Sequence, residues 1–125
     1  MTKSIVAGIV ALVLVVACGV VEVVLLKNSY DDLHAECLEV MRLADEETLS
    51  LQRFETFRNN WTKLRETSEL FLPHMDVYEL NLRFAESQAY VETGDFHQLK
   101  AQLSIIEELL RYVPHLMIPS PVHIL

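Results

Sequence analysis

Hydrophobic and polar positions divide this chain into two regimes. Residues 5–26 read IVAGIVALVLVVACGVVEVVLL, apolar on every helical face, with Lys3 before the run and Lys27 after it. The uncharged stretch from residue 4 to residue 21 meets the length of about 18 residues at which a segment reads as a transmembrane helix. At about 1.5 Å per residue, residues 5–26 reach roughly 33 Å, enough for a hydrocarbon core of about 30 Å. Val15-Val16-Ala17-Cys18-Gly19 resembles a bacterial lipoprotein cleavage box with Cys18 as the lipidated residue. The apolar run, however, continues through Val20, Val21 and Val23 to Leu26, where a processed lipoprotein turns polar, so an uncleaved span is expected.

Beyond the span the apolar positions recur every three or four residues, the period of a helix buried on one side. Ser29 with Asp32 reads as a capping box that starts a new helix, on which Leu33, Cys37, Val40 and Ala44 form one stripe. Asp45-Glu46-Glu47 interrupts it. Three acids suit the positive N-terminal end of a helix, so a second helix is expected from there. The alternative is a continuous helix through the junction, since neither Gly nor Pro forces a break. This second helix carries Leu51, Phe54, Phe57, Trp61, Leu64 and Ser68 and runs to about Leu72, where Pro73 stops it. A third follows from about Met75 to Thr93, with Val77, Leu80, Phe84 and Val91 on one face. Gly94 is its expected C-terminal cap. Asp95 with Gln98 is a second capping box.

The fourth helix has the clearest pattern. Phe96, Leu99, Leu103, Ile106, Leu110 and Val113 fall at 3-4-3-4-3 spacing, and Ile105, Leu109 and Tyr112 widen the face enough for two neighbours. Pro114 is expected to end it, and the remaining HLMIPSPVHIL to lie extended along the bundle. The fold class is therefore all-α: an N-terminal transmembrane helix followed by a small antiparallel bundle of about four helices with an extended C-terminal tail. The divisions are residues 1–27 as anchor, 28–113 as helical domain and 114–125 as tail. Asp45 with Leu49 and Asp95 with Leu99 echo one another across the two halves, a faint sign of paired helix-turn-helix units.

Charge narrows the partners. Residues 28–125 hold eight Lys/Arg against seventeen Asp/Glu. A nucleic-acid binder needs basic groups to neutralise phosphates, so that class is set aside. Cys18 lies inside the span, and Cys37 alone in the domain allows no intrachain disulfide framework. Lys3 on one side and Lys27 and Arg42 on the other leave the positive-inside rule undecided. A short N-terminal tail before a whole downstream domain is the signal-anchor arrangement, which places the domain outside the cell membrane. Cys37 is then expected to react with a membrane-impermeant maleimide.

With these segments in view, the chain resembles the domain-of-unknown-function family 4363 of Gram-positive bacteria. The resemblance covers nearly the whole chain: GVVEVVLLKNSYDDL at the membrane exit, DEETLSLQRFETFRNNW leading to Trp61, LPHMD around His74, GDFHQLKAQLSIIEELLRYVP, and the ending VHIL. It implies a small single-pass membrane protein with a helical extramembrane domain and no assigned activity.

No motif rises to a catalytic signature. His34 and Cys37 share a helical face, but structural zinc needs four close ligands, and His74, His97, His115 and His123 complete no motif. Ser50, Ser87 and Ser104 lie in helical patterns without an elbow or glycine-rich turn. Glu107 and Glu108 are expected on a solvated face. Trp61, Phe54, Phe57, Phe84 and Phe96 read as bundle core rather than a ligand pocket. Asn60-Trp61-Thr62 matches a glycosylation sequon in the middle of a helix. Glu22 alone breaks a rule, as a carboxylate within the apolar segment. It either snorkels toward the headgroups or contacts a partner's membrane helix, and Ala7 and Ala11 allow close helix approach. The expected function is a membrane-anchored helical interaction module, an accessory subunit of a membrane or envelope assembly without catalytic activity. No metal, cofactor or small-molecule substrate is indicated, and the partner is a membrane protein or a second copy of the chain. The alternative is a membrane-displayed ligand or metal sensor.

Overall fold

The apolar run and the first bundle helix are one element. The computed structural model describes residues 1–117, and helix α1 runs unbroken from Thr2 to Asp45. Ser29 does not cap a new helix as its capping-box pattern predicts; its hydroxyl donates to the Leu25 carbonyl one turn back. That bond is the ordinary mid-helix use of a serine. The apolar stripe also starts earlier than expected. Leu26, Tyr30, Leu33, Cys37, Val40 and Ala44 are all buried, at 4-3-4-3-4 spacing.

The acidic triplet closes α1 instead of opening α2. The Glu47 N–H donates to the Ala44 carbonyl and the Thr48 N–H to the Leu43 carbonyl, the paired bonds of a Schellman turn with Glu47 left-handed at φ 55°. Acids at a helix C-terminus oppose the macrodipole. Arg42 offsets this by pairing with Glu39 and Glu46. Helix α2 spans Leu51–Ser68, and its N-cap is Ser50, whose hydroxyl accepts from the Arg53 N–H at 3.1 Å. It ends at Ser68, four residues short of the expected Leu72, in a turn whose Phe71 and Leu72 N–H groups both return to the Ser68 carbonyl.

Helix α3 spans His74–Thr93 and stops at Gly94, φ 72°, in a second Schellman turn. Helix α4 spans Phe96–Tyr112, with the Asp95 side chain accepting from the Gln98 N–H. Both features match the sequence expectation. The tail does not begin extended. Val113–Met117 form a 3-10 turn, because Pro114 lacks only a donor that a helix's first turn does not use. The expectations for residues 118–125, including an extended path along the bundle, lie outside the described residues.

Each helix packs on the next, and α4 closes the ring against α1, giving an antiparallel four-helix bundle with no strands among the described residues. Aromatic rings fill its centre: Trp61 stacks on Phe84 at 5.5 Å, and Phe57 lies 4.8 Å from Phe84. Polar pairs tie every seam. Asn60 donates to Glu36 across α1–α2, Arg65 to Asn81 across α2–α3, and Arg83 to Gln102 across α3–α4. His34 and Glu107 meet across α1–α4 at 2.9 Å.

Candidate functional site

The bundle's two ends differ. At one end lie the turns after α1 and α3; at the other, α1 leaves the apolar run and the α2–α3 turn meets it. Tyr30 fixes the register of that second end. The Ser68 hydroxyl donates to the Leu64 carbonyl at 2.7 Å, so its single proton is used, and the Tyr30 hydroxyl donates to Ser68, also at 2.7 Å. Tyr30 and Ser68 are therefore level, and residues 69–73 continue past Ser68 toward the apolar segment.

There the chain forms an open groove of about 560 Å³ between α1 and α2. Leu25, Leu26, Leu33 and Leu64 supply its floor, and Leu70 and Phe71 of the turn close one end. Glu22, Asp32, Glu36 and Lys63 line its polar side. Glu36 is held by Asn60 and lies 3.8 Å from the Arg53 guanidinium. Glu22, the residue singled out from the sequence, is exposed at the foot of this groove, one turn below the point where α1 becomes part of the core. The groove itself is not foreseen from the residue pattern, because the expected second helix ran through Leu70 and Phe71. Leu70, which falls off the α2 stripe while Phe71 and Leu72 continue it up to Pro73, is the signal that marks it.

This end also carries exposed apolar side chains outside the apolar run. Leu70 is 78% and Met75 74% exposed, and Phe71, Tyr78 and Tyr112 are open as well. At the level of Thr48 and Gly94 the exposed residues are mainly polar or acidic, among them Glu46, Glu47, Thr48 and Asp95, although Leu51 is 37% exposed there.

The other residues singled out from the sequence are dispersed. His34 is paired with Glu107, which is only 18% exposed and so does not lie on a solvated face; Glu108 does, beside Arg111. Cys37 is fully buried and its thiol donates to the Leu103 carbonyl at 3.9 Å. Burial, with the Glu107 and Glu36 charges adding to it, pushes that thiol up to about 12, so the expected maleimide reaction of Cys37 does not suit the folded chain. His34 and Cys37 thus have separate partners, and no group of three or more metal-ligating side chains occurs among the described residues. His74, His97 and His115 are exposed at different places, and His123 lies outside the described residues. Ser50 caps α2, Ser87 is buried and donates to the Arg83 carbonyl, and Ser104 is exposed. Trp61, Phe54, Phe57 and Phe84 form the core as expected, and Phe96 packs at its edge. The Trp61 indole N–H has no hydrogen-bond partner among the described residues. Asn60 is half-buried against Glu36, a setting that suits a seam rather than a glycan. Ala7, Ala11 and Cys18 are exposed on the apolar half of α1, a helix long and apolar enough to cross a membrane.

A family model described as a domain of unknown function, DUF4363, matches residues 21–120. No curated protein and no solved structure matches the chain.

Proposed function

The chain belongs to the DUF4363 family of domains of unknown function, and we propose that it is a membrane-anchored helical interaction module. In this reading it is an accessory subunit of a membrane or envelope assembly, with no catalytic activity of its own and its domain on the extracytoplasmic side. The observation that carries the proposal is the continuity of α1. The apolar half of this 44-residue helix enters the bundle core at Leu26 and Tyr30 without a linker. Span and domain then form one rigid lever, and whatever binds the span also feels the orientation of the bundle. A cleaved or lipidated Cys18 would discard that lever, which speaks for an uncleaved single pass.

Glu22 is the most distinctive group the span offers a partner. A carboxylate at this depth is costly unless it reaches the interface or pairs. Purification of the full chain in mild detergent should bring down a membrane protein in fixed stoichiometry. Glu22→Leu should insert normally and lower that yield, and an unrelated polyleucine span should lower it further. A partner fully retained by both variants would move recognition onto the bundle, and a solitary monomer would overturn the module. Sidedness is read from Thr48→Cys on the far turn, where the side chain is exposed. An impermeant maleimide should label it on intact cells, and labelling only after lysis would place the domain inside.

A further inference from the structure

Reading α1 as a span leaves open how the bundle stands on the membrane, and the membrane-proximal surface answers this. We infer that the α2–α3 turn, through Leu70, Phe71 and Met75, seats in the lipid interface beside α1. The bundle then rests on the bilayer at a second point. This inference depends on the membrane-anchored reading above.

Depth is the first argument. Tyr30 and Ser68 are hydrogen-bonded and therefore level. Glu22 lies eight residues before Tyr30, about 12 Å further down α1 at helical rise. Leu70 and Phe71 line the same groove as Glu22, Leu25 and Leu26. The turn thus reaches the last apolar turns of the span, the zone that any bilayer crossed by residues 5–26 must border. Tyr112 reaches a similar height: Glu107 is level with His34, and Tyr112 lies five residues further toward the same end.

Chemistry is the second argument. Leu70 and Met75 are among the most exposed large apolar side chains outside the apolar half of α1, and Phe71, Tyr78 and Tyr112 are open on the same end. Aromatic rings with one apolar and one wet side favour the headgroup level. Charge does not supply the attraction. Glu69 and Asp76 flank the turn along with Lys63 and His74, so the contact is apolar and does not need anionic lipid. A bilayer is also the one apolar surface that α1 necessarily brings to this height.

The test uses the full chain in phosphatidylcholine–phosphatidylglycerol bilayers, with Cys18→Ser and the buried Cys37 left in place. Nitroxide labels are attached singly at Leu70→Cys, Met75→Cys, Val13→Cys and Thr48→Cys, and their accessibility to oxygen and to a water-soluble nickel complex is compared. Val13 should favour oxygen strongly and Thr48 nickel. Leu70 and Met75 should favour oxygen, by severalfold over Thr48, in pure phosphatidylcholine as well. Nickel-favouring labels at Leu70 and Met75, with Val13 still in lipid, would overturn this inference and leave the span standing. Labels there closed to both reagents would show a protein covering the turn and overturn it too. A water-exposed Val13 would instead defeat the membrane-anchored reading itself.

Discussion

Helix α1 is one hydrogen-bond ladder with two kinds of surface, and its halves are best understood against each other. Below Leu26 its large side chains are exposed on every face, including Ile5, Ile9, Leu12, Leu14 and Val16. From Leu26 onward the buried side chains form one stripe, covered by α2, α4 and the 3-10 turn, while Leu38 off that stripe stays exposed. Backbone bonding does not distinguish the halves. What distinguishes them is the angular width of the apolar surface: all round requires an apolar solvent on every side, and a stripe requires only two neighbouring helices. The junction needs no Gly, Pro or cap, since the stripe of the upper half is continuous with the lower half's surface.

The strongest way to break this comparison is to remove the same kind of bulk from each half's surroundings. Trp61→Ala empties the centre of the bundle where it stacks on Phe84, and should cost about 3–5 kcal/mol. A domain of this size holds about 5–15 kcal/mol in all, so the loss should be visible as a large drop in Tm. Leu103→Ala, also fully buried, should cost about 2–5 kcal/mol. Val13→Ala touches nothing in the bundle and should leave its melting unchanged. Circular dichroism melts of the detergent-solubilised chain measure all three. A Val13→Ala melt lowered like that of Trp61→Ala would mean that the halves unfold as one unit.

Tyr30 marks the boundary, and its hydroxyl offers a finer probe. Ser68→Ala leaves that hydroxyl buried without an acceptor and should cost about 1–3 kcal/mol. Tyr30→Phe removes the donor instead, while Ser68 keeps its bond to Leu64, and should cost about 1 kcal/mol or less. Tyr30→Phe with Ser68→Ala should then cost less than Ser68→Ala alone. Simple additivity in denaturant melts would show that no such bond joins the two residues.

How much of this was legible in the sequence follows from the same contrast. The all-round run and the four stripes could be read, because each repeats one physical demand over several turns. Gly94 and Asp95 were legible too, since left-handed backbone favours glycine and a cap needs a short acceptor. The misreadings are all local signals overruled by packing. Ser29 with Asp32 has the form of a cap, but Leu26 and Tyr30 already hold the helix on course. Asp45-Glu46-Glu47 has the charge of a helix start and the backbone of a helix end. Glu107 read as solvated because His34, 73 residues away in the chain, cannot be paired with it by pattern. Of the site at the Tyr30 end, Glu22 stood out as a charge among apolar residues, whereas the groove and the exposed turn depend on where α2 stops.

The two cysteines carry the comparison into pH. Cys18 is open on the lower half and Cys37 is sealed in the upper half. Burial raises Cys37 and Tyr30 each to about 12, from ordinary values near 9 and 10. In both, the unfolded chain releases its proton first. Their contribution to stability is thus complete below about pH 9 and is lost as pH rises toward 12. Denaturant melts should therefore show stability falling across pH 9–12, and Cys37→Ala should flatten that fall. In the native chain the Cys37 thiol should react with a small thiol reagent only at the rate of opening, so denaturant should speed it sharply. Fast labelling of native Cys37 at pH 8 would contradict the sealed upper half.

The smallest effect concerns how the upper half of α1 ends. Its turn and the one after α3 share the same paired bonds, but one places Glu47 in the left-handed region and the other Gly94. A side chain in that conformation costs about 1–2 kcal/mol, which glycine avoids. Glycine in turn loses more backbone freedom on folding, by roughly 0.5–1 kcal/mol. The side chain's penalty is the larger of the two, so Glu47→Gly should stabilise the bundle by about 0.5–1 kcal/mol. It also removes an acid from the negative end of α1, an effect of the same sign and worth about 0.3–1 kcal/mol when the group is exposed in low salt. Glu47→Gln separates the two contributions, because it removes the charge and keeps the side chain. Melts in low and high salt should show Gln gaining only at low salt and Gly gaining at both. A Gly variant no more stable than Gln at high salt would mean that the turn bears no strain at Glu47.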